Sequence, residues 1–537
     1  MSVLEDARAW LAQDPDPVTR AELTALLDDP AELERRFAGR LQFGTAGLRG
    51  ELGAGPLRMN RVLVAQAAAG LAAHLGAGAS IVIGYDGRHN SRAFALDTAQ
   101  IMAGAGIRTL LMPRLLPTPV LAFAVRHLAV AAGVMVTASH NPARDNGYKV
   151  YLGGSDGGSQ IVPPADALIA ARIAAVGDIR ELPRSDAFET VPESVIDAYV
   201  AATAAVADGT GGTGALRYVY TAMHGVGFET AARTFAAAGF ATPISVGEQQ
   251  EPDPDFPTVA FPNPEEPGAL DLALALAEHE GADLVIANDP DADRLAIAIP
   301  DDDGWRRLSG NEVGALLGWA AARRLHGSGR SLAASVVSSP ALHELAEQYD
   351  LPYVETLTGF KWISRAPHLG FGYEEALGYL VNPDDVRDKD GISAAVAFLG
   401  LAAELRERGE TIVDHQRDFD EQFGAFASAQ ISIRVTELAQ IAHLMQRLRE
   451  SPPTHIGRAR VVAVDDFAAG LGGLPPSDIL RFRLEHGARV IVRPSGTEPK
   501  LKVYLDASST EGSAADRRRA AQNAIDELDR GMRHLLA

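Results

Sequence analysis

Three short stretches concentrate the side chains that can do chemistry. The first is NDPDADR, residues 288–294, which leaves the apolar run LVIA. Asp289, Asp291 and Asp293 alternate there, and side chains two apart in an extended loop can converge on one cation. Three crowded carboxylates repel one another unless a metal or a proton holds them. A small set of hard oxygen ligands suits Mg²⁺, which completes its shell from phosphate oxygens and water. A calcium EF-hand is excluded, because Arg294 stands at the sixth position and Pro300 at the twelfth. Arg294, directly behind the acids, suits a phosphoryl ligand; a solvated acidic turn is the plain alternative.

The second stretch is TASHNPARDNGYKVY, 137–151. The apolar run Ala131 to Val136 ends in Thr137, Ser139, His140, Asn141 and Pro142, and Lys149 follows ten residues after the serine. The stretch offers a nucleophile, a candidate base and a candidate acid without saying which reaction they serve. The third is VRPSGTEPKLKVY, 492–504. Arg493, Ser495, Gly496 and Thr497 supply a guanidinium fork, two hydroxyls and backbone N–H groups at a tight turn, which together make an anion cradle. Lys500 and Lys502 add positive charge, and a hairpin with surface charges is the alternative.

Weaker signals lie between these. TLTGFKWISR (356–365) sets Lys361 beside aromatics, and GYEEALGYL (372–380) sets Glu374 and Glu375 between glycines and tyrosines. Paired carboxylates near aromatics suit sugar hydroxyls, although adjacent glutamates more often open a helix. FGTAGLRG (43–50) is a glycine-rich turn carrying Arg49, another candidate phosphate ligand. RDKDG (387–391) reads as a structural charged turn. Gly209–Gly214 matches GxGxxG but precedes a strand, so it reads as a linker. Gly153–Gly157 matches GxSxG with no helix behind it, so it reads as a loop.

The elements that must position these loops are legible as alternation. Residues 1–40 read as helices broken at Asp14–Pro17 and Asp28–Pro30. Short apolar strands then alternate with Ala/Leu-rich helices, as in SIVIGYDGR followed by SRAFALDTAQIMAGAG, which predicts parallel sheets covered by helices. The pattern restarts after DGTGGTG (208–214) and again at SLAASVVSSP (331–340), and from about Ser428 it changes to a smaller α+β texture. A chain of 537 residues suggests three or four domains at roughly 150 residues each. The expected division is 1–205, 206–308, 309–425 and 426–537.

Composition narrows the class. A net charge of -21 repels nucleic acid and anionic membranes, and it requires any phosphate site to be a concentrated basic pocket. With no cysteine there is neither a disulfide framework nor a thiolate metal site. The N-terminus lacks the apolar core of a signal peptide, and no uncharged apolar run reaches the roughly 18 residues of a membrane span. A cytoplasmic enzyme acting on a small molecule is the expectation, with no nucleic-acid or membrane partner.

Taken together, FGTAGLRG, TASHNPARDNGYK, DPDADR, EEALGY and RPSGTEPK, in that order over nearly the whole chain, resemble the α-D-phosphohexomutase superfamily of phosphoglucomutases and phosphomannomutases. TGFKWI and EEALGY look most like the branch that includes phosphopentomutases and some bacterial phosphoglucomutases. The resemblance implies three similar mixed α/β domains and a smaller C-terminal α+β domain around a central cleft. It implies a phosphoserine at Ser139, proton handling by His140 and Lys149, and phosphate contacts from Arg49 and Arg294. It implies one Mg²⁺ per site on Asp289, Asp291, Asp293 and the Ser139 phosphate. Thr358, Gly359, Lys361 and Glu374 would line the cleft and read the sugar. Arg493, Ser495, Gly496 and Thr497 would grip the phosphate that does not react. The implied reaction interconverts hexose 1- and 6-phosphates through a sugar bisphosphate, which also acts as activator. Hexose-specific relatives carry a serine two residues after the reading glutamate, and Ala376 stands there instead, so a phosphopentomutase is the near alternative. A sugar-phosphate phosphatase and a non-catalytic sugar-phosphate binder are the alternatives of other classes.

Overall fold

Apolar runs of four to six residues become parallel strands here because helices cover the sheets. The computed structural model describes residues 2–44, 47–207, 216–302, 304–435, 438–495 and 500–536. It divides into two units, Met1–Leu308 with Gly378–Glu404, and Ser309–Leu377 with Leu405–Ala537.

In the first unit, Ser80–Tyr85 lies between Arg108–Leu111 and Ala132–Val136, parallel to both. Asp145–Leu152 then returns antiparallel along Ala132–Val136, with Met135 opposite Lys149, and Leu48–Glu51 pairs with its other edge. The stretch carrying Ser139 is therefore the connection between a parallel strand and an antiparallel one. A second sheet repeats the plan. Tyr218–Thr221 is parallel to Leu284–Ala287 and Ile244–Ser245, and Ala296–Asp301 returns antiparallel to Leu284–Ala287. The acidic stretch 288–295 is that return connection. Both loops thus leave the carboxyl ends of parallel strands, where open α/β sheets place their ligands.

The helices follow local rules. Asn60 caps Arg61–Leu75 by accepting from the Leu63 N–H, and ten residues of that alanine-rich helix are buried. The N-terminal helices Val3–Gln13, Pro17–Leu26 and Pro30–Phe37 start at Ser2, Asp16 and Asp29, whose side chains each accept a helix N–H. Leu63, Phe94, Ile83 and Tyr148 are among the fully buried side chains of this core. Each such side chain contributes about 1.5–3 kcal/mol on leaving water.

In the second unit, Ser331–Ser335 lies parallel to Tyr353–Thr356 and Leu369–Glu374. Its other sheet is antiparallel throughout, in the order Ala425–Arg434, Lys500–Ser509, Arg489–Pro494, Leu480–Leu484, Ala459–Asp466, His455–Ile456. The terminal helix Ala514–Leu536 packs Ile525, Leu528 and Met532 into that sheet's core. This is the expected mixed α/β architecture with a smaller C-terminal α+β part. Among the described residues no helix is long and apolar enough to cross a membrane. The linker expected at 208–214 lies outside the described residues.

Candidate active site

Ser139 takes the left-handed backbone region, φ 51, at a cost of order 1–3 kcal/mol that the surroundings must offset. Its N–H donates to Thr137 Oγ1 at 2.9 Å. Its hydroxyl donates to Asp289 Oδ2 at 2.6 Å and lies 3.2 Å from His140 Nδ1. Residues 150 apart in sequence are joined because the serine loop and the acid loop are equivalent connections of two sheets.

The three aspartates are buried, and each offers an oxygen within 4.8 Å of the others. Lys149 Nζ donates to Asp291 Oδ2 at 2.7 Å and to Asp293 Oδ2 at 2.8 Å. Thr118 Oγ1 donates to Asp291 Oδ2 at 2.6 Å. Burial, with Asp291 and Asp293 alongside, pushes the Asp289 carboxyl well above the usual carboxylate range. Burial acts the same way on Asp291 and Asp293, but Lys149, joined by Thr118 at Asp291 and by Lys389 and Arg294 at Asp293, brings both below that range. Burial would also lower Lys149, yet the same two carboxylates raise its ammonium overall. Asp291 Oδ1 and Asp293 Oδ1 are buried and take no hydrogen bond from the described residues. Buried carboxylate oxygens left open in this way fit a small, hard divalent cation.

Cations surround the acids. The Arg294 backbone N–H donates to Asp289 Oδ1 at 3.0 Å, and its guanidinium lies 4.0 Å from Asp293 Oδ1. Arg49 donates to Asn141 Oδ1 at 3.1 Å. Burial, then Arg294 and Arg49, hold the His140 imidazole well below its ordinary range, so it is neutral.

Besides Thr118, two more residues of this cluster lie outside the sequence reading. Lys389, in the turn 387–391, puts Nζ 3.3 Å from Asp293 Oδ2 and 3.7 Å from Asp388 Oδ1. Asp388 in turn accepts from Tyr151 OH and Gln160 Nε2 at 2.7 Å each. A signal was available. The following stretch ISAAVAFLGLAA is apolar on every side, so the helix it forms is buried, and its first turn with it. The other is Arg88, buried beneath the serine loop and donating to its carbonyls.

The second unit holds the remaining predicted residues. Glu374 ends the strand Leu369–Glu374, so the paired glutamates stand at a strand end instead of opening a helix. Glu375 Oε2 accepts from Ser335 and Ser338 at 3.2 Å each, so these hydroxyls orient it. Thr358 precedes Gly359, φ 104, and Lys361 lies in the short helix Phe360–Ile363. Arg493 sits near the end of Arg489–Pro494, followed by Ser495. Burial raises the Tyr504 hydroxyl, Glu375 and Glu374 add to this, and Arg493, hydrogen-bonded to it, opposes them. Gly496 and Thr497 lie outside the described residues, as do Thr45 and Ala46 of the Arg49 turn.

Residues 40–179, 197–304 and 309–419 match the phosphoglucomutase/phosphomannomutase alpha/beta/alpha domains I, II and III, and 431–522 match the C-terminal domain of the same family. The chain belongs to the phosphoglucomutase/phosphomannomutase family. The chain is 54% identical over 484 residues to the probable phosphomannomutase of Haemophilus influenzae, covering 89% of this chain and 98% of that one. It is 36% identical over 560 residues to the probable phosphoribomutase of Schizosaccharomyces pombe, covering 92% of each. Its fold is similar to that of a phosphoglucomutase/phosphomannomutase family protein from Burkholderia thailandensis, with a TM-score of 0.71 at 20% identity over 93% of this chain and 98% of that one. The chain is a phosphomutase, an isomerase that moves a phosphoryl group within its substrate.

Proposed function

We propose that this phosphomutase interconverts hexose 1-phosphate and hexose 6-phosphate, of glucose and of mannose, through a phosphoserine at Ser139 and a sugar bisphosphate. The observation that supports this most is the Ser139 hydroxyl, 2.6 Å from Asp289 and 3.2 Å from neutral His140. In each half-reaction a sugar hydroxyl oxygen forms a bond to phosphorus as the bond from phosphorus to Ser139 Oγ breaks, or the reverse. The hydroxyl proton leaves to a base. We assign the handling of this proton to neutral His140 and to Lys149, which Asp291 and Asp293 keep charged. Such transfers ask mainly for positioning and for cationic cover over the equatorial oxygens, which Arg49 and Arg294 provide.

Asp289, Asp291 and Asp293 would hold Mg²⁺ together with the Ser139 phosphate, and the ion would act as a Lewis acid toward the phosphoryl oxygens. Thr358, Gly359, Lys361 and Glu374 bind and read the sugar, and Arg493, Ser495, Gly496 and Thr497 hold the phosphate that is not reacting. A sugar bisphosphate serves as activator by restoring a lost phosphoserine. We assign these parts to four domains, 1–205, 206–308, 309–425 and 426–537, a division the four sheets support.

A phosphopentomutase is the second reading, favoured by Ala376 beside the glutamates and by the name of the Schizosaccharomyces pombe relative. One absent neutral hydrogen bond is worth about 0.5–1.5 kcal/mol, so hexose use is loosened roughly tenfold at most and not lost. The experiment combines intact mass with kinetics. Fresh protein should carry one phosphoryl group that Ser139→Ala lacks, and the variant should lose nearly all turnover. Wild-type turnover in Ser139→Ala would end the phosphoserine reading. A preference for ribose 1-phosphate over glucose and mannose 1-phosphates of more than about a hundredfold in kcat/KM exceeds what Ala376 can supply, and would make the enzyme a phosphopentomutase.

A further inference from the structure

Four backbone carbonyls of the serine loop converge on one guanidinium. Arg88 Nη2 donates to Ser139 O at 2.6 Å and to Asn141 O at 2.5 Å. Nη1 donates to Pro142 O at 2.8 Å and to Asp145 O at 3.1 Å. A guanidinium has four N–H bonds on its two terminal nitrogens, and these four carbonyls engage all of them. Arg88 is buried, 4% exposed, so it stands behind the loop and has no donor left to reach an incoming phosphate from its terminal nitrogens.

The arginine is itself held by Asp86 and Phe256. Its own N–H donates to Asp86 Oδ1 at 3.0 Å, and Nε lies 3.5 Å from Asp86 Oδ2. Ser91 Oγ donates to Asp86 Oδ1 at 2.5 Å and accepts from Asn146 Nδ2 at 3.0 Å, tying the far end of the loop into the same network. The guanidinium also lies over the Phe256 ring, 4.9 Å from its centroid.

We propose that Arg88 is a positioning residue for phosphoryl transfer at Ser139, holding the serine in its left-handed backbone and gathering the loop's carbonyls away from the phosphate. Two physical facts make this more than packing. A non-glycine residue at φ 51 returns to a relaxed region unless its flanking peptides are fixed, and here the carbonyls of Ser139 and Asn141 share one Nη. Carbonyl oxygens are also the negative ends of peptide dipoles, and any one of them turned toward a phosphoserine would repel it. Arg88 draws four of them to itself. Lysine cannot replace it, because an ammonium has three N–H bonds on one atom and no planar fork.

This inference rests on the reading of Ser139 as phosphoryl carrier, and the test separates the two. The full-length enzyme is compared with Arg88→Lys and with Arg126→Lys. Arg126 is another arginine that donates to backbone carbonyls, those of Gly157 and Asp384, away from the serine loop. Folding is checked by thermal denaturation, kcat and KM are measured with glucose 1-phosphate, and the phosphoserine is observed by phosphorus NMR. Arg88→Lys should lower kcat by about tenfold to a hundredfold with KM within about threefold, since small misplacements of a reacting group act on the chemical step. Its phosphoserine resonance should shift from the wild-type position, whereas Arg126→Lys should change neither kcat nor the resonance. If Arg88→Lys does not fold, Asp86→Asn keeps the guanidinium and removes its counter-charge, and should give the same split of kcat from KM. A folded Arg88→Lys or Asp86→Asn enzyme with wild-type kcat and an unmoved resonance overturns the proposal. Wild-type protein that never carries phosphate on Ser139 overturns instead the reading on which it rests.

Discussion

Asp293 stands between two ammonium groups, 2.8 Å from Lys149 and 3.3 Å from Lys389, with its second oxygen buried and without a hydrogen bond among the described residues. Its charge does two jobs that a neutral amide cannot do. It neutralises the lysines, and it leaves an oxygen for a cation. In Asp293→Asn both lysines lose that anion, and breaking a buried ion pair by removing one partner costs about 3–5 kcal/mol. Some of this is recovered, because Lys149 keeps Asp291. We predict a lower melting temperature and at least about a tenfold weaker affinity for Mg²⁺ or Mn²⁺ by calorimetric titration, since one charged ligand of three is lost. Unchanged metal affinity in a folded Asp293→Asn protein would remove this carboxylate from the metal site.

At the scale of elements, the acid loop keeps its shape because other backbones press directly against it. A Cβ on Gly225 would lie 2.3 Å from Pro290 Cα and 2.4 Å from Pro290 O, while the Val226 N–H donates to Pro290 O at 2.8 Å. A Cβ on Gly391 would lie 2.2 Å from Arg294 O. Gly225→Ala therefore displaces the acid loop at Pro290, between two of its aspartates, at about 1–3 kcal/mol for overpacking. The expected result is a lower denaturant midpoint together with weaker metal binding, whereas an alanine placed at exposed Gly177, where nothing stands within 4 Å, should leave metal binding unchanged. Metal affinity equal to wild type in Gly225→Ala would show that the acid loop does not depend on this contact. These contacts also mark what could be read in advance. Strands and helices were legible because their periods are local, and NDPDADR was legible because its carboxylates are two residues apart. The turn 387–391 was not, since nearly a hundred residues separate it from the aspartates and its charges imitate a surface loop. Arg88 was hidden similarly. It sits in a plain strand-to-turn DGR, and its partners are carbonyls, which have no residue type to notice.

Across the whole molecule, stability against acid is set by buried groups that pull in opposite directions. His415 is buried, stacked on Trp319 with ring centroids 4.2 Å apart, and its Nε2 has no partner among the described residues. Burial, and then Arg323 and Arg408, push its imidazole down to about 4. The unfolded chain protonates this histidine near its ordinary value of about 6.5 while the folded chain resists, so its contribution to stability is complete above that pH and is lost as pH falls toward 4. The loss amounts to about 2 kcal/mol near pH 5 and about 3 kcal/mol near pH 4. Asp390 has the opposite sign. Burial raises it to about 6 against its hydrogen bonds from Ser393, Tyr199 and Ile392. The folded state therefore takes up a proton before the unfolded one does, and stability is gained as pH falls from about 6 toward the ordinary carboxylate value. The two effects overlap and partly cancel in the wild type, so a simple pH scan hides both. Removing the histidine exposes the difference. In His415→Gln the urea midpoint should fall less between pH 7.5 and pH 5 than in the wild type, by an amount equivalent to about 2 kcal/mol, although the variant starts lower at pH 7.5 because the stack on Trp319 is lost. Parallel curves for the two proteins across that range would show that His415 titrates alike in the folded and unfolded chains.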